Sequence, residues 1–192
     1  MIKKRNFVKI KYFILVFFIV FLSACGTGET KVAEKVNNVS YYGDSLVNHS
    51  GARLKNFLGI PVTNHGMDAQ MTYHAITGVY GSIDWSKEGL YVFSWGTNEA
   101  LQGVTEGAYK QDMNHVIVEA KSRGKLVVLE APVRGQFINT LRDLSAMHNV
   151  PLSQYSPVSP SENHSDGVHL TDEGLNNRAK VLASVILKGF QK

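Results

Sequence analysis

Val39-Ser40-Tyr41-Tyr42-Gly43-Asp44-Ser45-Leu46 opens a run that continues to Leu58 and closes on Gly59-Ile60-Pro61-Val62-Thr63. Val39–Tyr42 is short, β-branched and aromatic, which is strand character, whereas Leu46–Leu58 is an amphipathic stretch several helical turns long. Gly59 accepts the left-handed conformation that ends a helix, and Pro61 forbids its continuation. A second strand is therefore expected over Ile60–Thr63. Strand, helix and strand in such quick succession imply parallel pairing, because the helix carries the chain back to the start of the next strand.

The same alternation extends outward. Strand-like Leu90–Ser94 and Leu126–Glu130 alternate with helix-like Gly107–Arg123, Gln136–His148 and Thr171–Leu187. This pattern predicts an α/β domain with a parallel sheet and helices on both faces. In Gly107–Arg123, Tyr109, Met113, Val116, Ile117 and Ala120 recur at three- and four-residue spacing, which marks a face turned to the core. Gly124 stops that helix, and Thr171-Asp172-Glu173 opens the last one with a cap and an acidic first turn. Residues 151–165, interrupted by Pro157 and Pro160, are expected to form a surface loop. There is no internal repeat.

The first 24 residues are of another kind. Lys3, Lys4, Arg5, Lys9 and Lys11 precede an unbroken apolar segment of 11 residues, Tyr12–Leu22, and then Leu22-Ser23-Ala24-Cys25. This is the layout of a signal peptide, and the segment is too short to span a bilayer, which takes about 20 residues. Removing those five cations leaves 15 basic residues against 16 acidic ones, so the basic character of the whole chain does not argue for a nucleic-acid partner. Cys25 is the one cysteine, which excludes an internal disulfide. The expected organisation is a signal peptide over 1–24, a polar tether over 25–38 and a folded domain over 39–192.

In open parallel sheets ligands sit beyond the carboxyl ends of the strands. Four polar stretches fall there. Gly43-Asp44-Ser45-Leu46 puts a hydroxyl at a strand-to-helix junction, where unpaired helix N–H groups stabilise developing negative charge. Asn64-His65-Gly66 would let a backbone N–H approach a ligand, Gly66 having no side chain in the way. Trp95-Gly96-Thr97-Asn98 supplies an amide. Asp166-Gly167-Val168-His169, just ahead of the last helix, spaces a carboxylate so that one turn can aim it at one ring nitrogen while the other faces a nucleophile.

Together, and in this order, Gly43-Asp44-Ser45-Leu46, Gly66, Gly96-Thr97-Asn98 and Asp166-Gly167-Val168-His169 resemble the four blocks of the SGNH hydrolases, the GDSL esterases and lipases. The resemblance implies a flavodoxin-like three-layer α/β/α fold. It further implies Ser45 as nucleophile, His169 as general base and Asp166 as its orienting acid, with an oxyanion hole from the Ser45 and Gly66 N–H groups and the Asn98 side chain. Leu22-Ser23-Ala24-Cys25 similarly resembles a bacterial lipobox, which implies a lipid on Cys25 and a membrane-anchored lipoprotein of the cell envelope facing outside the cytoplasm. The chain lacks a Gly-x-Ser-x-Gly elbow, which argues against an ordinary α/β-hydrolase. Two departures stand out: Glu99 follows Asn98 where Asp is frequent, and Ala69 stands where many relatives have a second glycine.

Among the other candidates, His49, His74, His115 and His148 are expected to be structural or at the surface. His65 could line the site, His164 could rival His169 as base, and Asp172 could rival Asp166. Trp95, Tyr73 and Phe137 are core residues by default and cleft residues by alternative. The expected function is serine ester hydrolysis without metal or cofactor, acting on a small-molecule or glycan ester, with O-acetyl groups on envelope carbohydrate as first choice. Lysophospholipase or thioesterase activity, or an inactive binding lipoprotein on the same fold, are the alternatives.

Overall fold

The computed structural model describes residues 36–190 except 88 and 165. The signal peptide, Cys25 and nearly all of the tether lie outside the described residues. A five-stranded parallel sheet is formed by β1 (Val39–Gly43), β2 (Val62–Gly66), β3 (Leu90–Ser94), β4 (Leu126–Glu130) and β5 (Leu152–Ser153), in the spatial order β2-β1-β3-β4-β5. Among the described residues the helices are α1 (Ser45–Leu58), α2 (Thr72–Thr77), α3 (Thr97–Leu101), α4 (Glu106–Ser122), α5 (Ile138–His148) and α6 (Asp172–Phe190), with a 3₁₀ turn at Pro160–Glu162. No helix among the described residues is long and apolar enough to cross a membrane.

Because successive strand residues point to opposite faces, the central strands serve two cores. Tyr41, Val92 and Val128 face one way and pack against Val47, Leu54 and Leu58 of α1 and Ala179, Leu182 and Ile186 of α6. Tyr42, Tyr91, Phe93 and Leu129 face the other way and meet Tyr109, Met113 and Ile117 of α4 and Leu141 and Leu144 of α5. This is the expected three-layer arrangement. β1 and β3 are hydrogen-bonded neighbours, yet the chain turns to opposite sides of the sheet after each, so a crevice opens between their carboxyl ends.

Several boundaries differ from expectation. β2 starts at Val62 rather than Ile60, since Pro61 has no N–H to give a ladder; its carbonyl instead takes the Val39 N–H at 3.0 Å. The strand then runs through Asn64-His65-Gly66, pairing Gly43 with Gly66. The stretch 151–165 carries two short elements: β5, which pairs with Leu129 and Glu130, and the 3₁₀ turn.

Candidate active site

Ser45 begins α1, capped by Asp44, whose Oδ1 accepts the Leu46 N–H at 3.0 Å. Gly43 is required just before it, because a Cβ there would lie 2.2 Å from the Ser94 carbonyl oxygen and 2.3 Å from Val47 Cγ2. The turn that carries Ser45 is thereby pressed against β3. Asp44 is buried, and burial pushes its carboxyl up to about 6, against the pull of the Arg178 guanidinium.

Ser45 and His169, 124 positions apart in the chain, close to a hydrogen-bonded contact, Ser45 Oγ to His169 Nε2 at 3.1 Å. Their sequence neighbours hold them there: Leu46 and Leu170 are buried in one small apolar cluster with Tyr155 and Leu175. His169 Nδ1 lies 2.7 Å from Asp166 Oδ2, while Asp166 Oδ1 accepts the backbone N–H groups of Val168 at 2.8 Å and His169 at 3.0 Å. Those bonds, that of the imidazole foremost, hold the Asp166 carboxyl well below the usual carboxylate range. The turn needs Gly167, which sits at φ 63, and Arg134 clamps it by donating to the Gly167 carbonyl. Asp166 and His169 are thus oriented from both sides, with Nε2 turned to Ser45.

The donors opposite them are arranged differently from expectation. The Gly66 N–H is already given to Asn64 Oδ1 at 2.9 Å, so it is not a free donor. Gly66 is small for another reason: a Cβ there would lie 2.1 Å from the Asn48 backbone nitrogen. In the loop that follows, Met67 N–H goes to the Gly43 carbonyl and Gln70 N–H to the Met67 carbonyl, whereas those of Asp68 and Ala69 take no acceptor among the described residues. Ala69 stands at φ 60, left-handed backbone that is costly for a residue with a Cβ. Asn98 Nδ2 donates one proton to the Gln70 carbonyl at 2.9 Å, which seats the amide beside this loop and leaves its second proton available.

Further contacts support this amide and loop. Gln70 Oε1 also accepts the Trp95 indole N–H at 3.3 Å, and Glu99 Oε1 accepts both the Thr72 N–H at 2.7 Å and its hydroxyl at 2.8 Å. Burial pushes the Glu99 carboxyl up. A carboxylate following Asn98 therefore anchors the first turn of α2 instead of meeting a ligand. The one trace of it in the sequence is Glu99 standing after Asn98 where Asp is frequent.

The remaining candidates lie outside the hydrogen-bonded set of Ser45, His169 and Asp166. His65 stacks on Tyr42, ring centroids 4.3 Å apart, and burial pulls its imidazole pKa down. Asp172 pairs with Arg53 at 2.5 Å. Trp95 is buried in the core, and Phe137 stacks on Tyr109 at 4.2 Å; Tyr73 is exposed. His74 and His148 meet protein partners, the Met71 N–H and the Asn114 side chain.

No protein-family model and no curated protein sequence matches the chain. Solved structures do. A protein of the lipolytic G-D-S-L family from Desulfitobacterium hafniense DCB-2 superposes with a TM-score of 0.66 at 16% identity, over 78% of this chain and 99% of that one. A lipase/acylhydrolase from Enterococcus faecalis gives 0.66 at 18% identity, over 78% and 95%. An acetylxylan esterase from Geobacillus stearothermophilus gives 0.65 at 12%, over 83% and 96%. The fold of the chain is that of these SGNH-type proteins.

Proposed function

We propose that this chain is an SGNH-type serine ester hydrolase that removes O-acetyl groups from carbohydrate of the bacterial cell envelope, where a lipid on Cys25 holds it. The alignment of Ser45 Oγ, His169 and Asp166 at 3.1 Å and 2.7 Å carries this reading. His169 Nε2 takes the Ser45 proton as Oγ bonds to the ester carbon and the carbonyl electron pair moves to oxygen. That oxygen meets the Ser45 N–H at the start of α1, the second Asn98 amide proton and the Ala69 N–H, one residue from the carbonyl that seats Asn98. Ala69 replaces Gly66 in the set. The Asp166 carboxylate steadies the imidazolium, which returns its proton to the departing alcohol; water, activated by the same base, then frees the acyl group.

Acetyl as the acyl group is supported by the acetylxylan esterase among the structural neighbours, and an envelope substrate by the lipobox-like sequence. A fluorophosphonate probe should label the protein at Ser45. The Ser45→Ala variant should stay folded, resist labelling and lose at least about a hundredfold in ester turnover. Retention of turnover or labelling in that variant overturns the assignment, and an unlabelled wild-type protein favours a binding lipoprotein on the same fold.

A further inference from the structure

Beside the triad, on the side occupied by His169 and Asp166, lies a cleft of about 410 Å³ whose other walls are His49, His164, Leu170, Thr171, Asp172 and Leu175. None of the oxyanion donors, nor Ser45, lines it. In the esterase reading, on which this inference rests, the imidazolium must hand its proton to the departing alcohol, so the alcohol lies on the imidazole side and the acyl group on the oxyanion side. The cleft is where the alcohol would be held.

Its chemistry narrows what that alcohol is. His49 is one turn beyond Ser45 on α1 and shares its face. Its ring stands edge-on to that of His169, centroids 6.3 Å apart. The exposed rings of His49 and His164 make no hydrogen bond among the described residues, so their ring nitrogens are open to a ligand in the cleft. Leu170 and Leu175 supply a buried apolar floor. An apolar floor under a rim of imidazole hydrogen-bonding groups matches a ring with an apolar face and hydroxyl edges. Charge argues against an anionic alcohol such as a glycerophosphate, since Asp166 and Asp172 both line the cleft and the nearby Arg53 is spent on Asp172 at 2.5 Å.

We propose that this cleft is a binding site for the leaving alcohol, and that it takes a neutral polyhydroxylated ring, the sugar of an O-acetylated glycan, with His49 and His164 as its specificity-determining residues. His49→Ala, His164→Ala and the double variant test it, both side chains being exposed and their removal costing little stability.

The turnover arm compares kcat/KM for an O-acetylated chitobiose with that for p-nitrophenyl acetate, whose leaving group has no hydroxyl edge. The ratio should fall about tenfold in the double variant, mainly through KM on the sugar ester. A ratio equal to that of the wild type overturns the proposal. The binding arm needs no turnover: in Ser45→Ala, added N,N′-diacetylchitobiose should shift the ring resonances of His49 and His164, and glycerol 3-phosphate should not. Shifts without esterase activity in the wild type retain the cleft and discard the esterase; activity with neither shifts nor a changed ratio discards the cleft alone.

Discussion

At Asp44 two demands meet in a single side chain. Its oxygen caps α1, a role that any Asp or Asn fills, while its burial makes the charged form costly. With the carboxyl pushed up to about 6, the folded protein holds this proton more tightly than the unfolded chain, whose Asp titrates at about 4. The stabilisation supplied by the proton is therefore complete below about pH 4 and is lost as the pH rises through 6. Asp44→Asn keeps a cap and removes the titration. The stability of the wild type relative to this variant should fall from pH 4 to pH 7, as followed by urea unfolding at each pH; a constant difference would mean that Asp44 does not titrate in this range. Asp166, whose lowered carboxyl pulls the opposite way, is common to both proteins and cancels. At this scale the sequence was unequally informative. Ser45, Asp166 and His169 lie at junctions that spacing alone locates, whereas the use of the Gly66 N–H depended on Asn64 folding its own side chain back two residues. His49 is exposed, in keeping with an expectation of a structural or surface residue, but nothing in its neighbourhood along the chain announces His169.

Between elements, the closest fit is that of α1 on β2. Gly66 lies flush under the helix, and Gly51 faces Asn64 so tightly that a Cβ would come within 2.5 Å of its side-chain Cγ. Gly66→Ala should force α1 outward and cost about 1–3 kcal/mol, read as a lower urea midpoint with an unchanged slope. Gly107→Ala, in the first turn of α4 with open space around it, is the control and should be neutral or slightly stabilising. Equal losses at the two positions would deny any role to the close approach. β1, β3 and β4 were legible almost to the residue because buried parallel strands are continuous apolar runs. β5 has two residues, and α2 and α3 have six and five, too few to express a period. What holds α2 and α3 is tertiary, the Glu99 carboxylate on Thr72 and the Asn98 amide on Gln70, and no local pattern encodes it.

Across the whole molecule, the buried Arg178 of α6 donates to Ser94 of β3 at 2.7 Å and to Glu130 of β4 at 2.6 Å, and Tyr41 of β1 donates to the same Glu130 oxygen. One ion pair thus ties the last helix to three strands. Arg178→Met leaves a buried carboxylate without its cation and should cost about 3–5 kcal/mol, while Arg178→Met/Glu130→Leu should recover most of that loss, as measured by chemical denaturation. A double variant as unstable as the single one would mean that the damage lies in packing rather than charge. The separation of 124 residues between Ser45 and His169 has a consequence in time rather than in space. A chain that emerges N-terminus first displays its hydroxyl while the imidazole is still to come, and closing so long a loop waits on the docking of the 19-residue α6. Until then the serine is an ordinary alcohol. In the esterase reading proposed above, synthesis order works as an interlock: a nascent, stalled or C-terminally clipped chain lacks the base that the hydroxyl needs, and acyl chemistry begins only once His169 has docked beside Ser45.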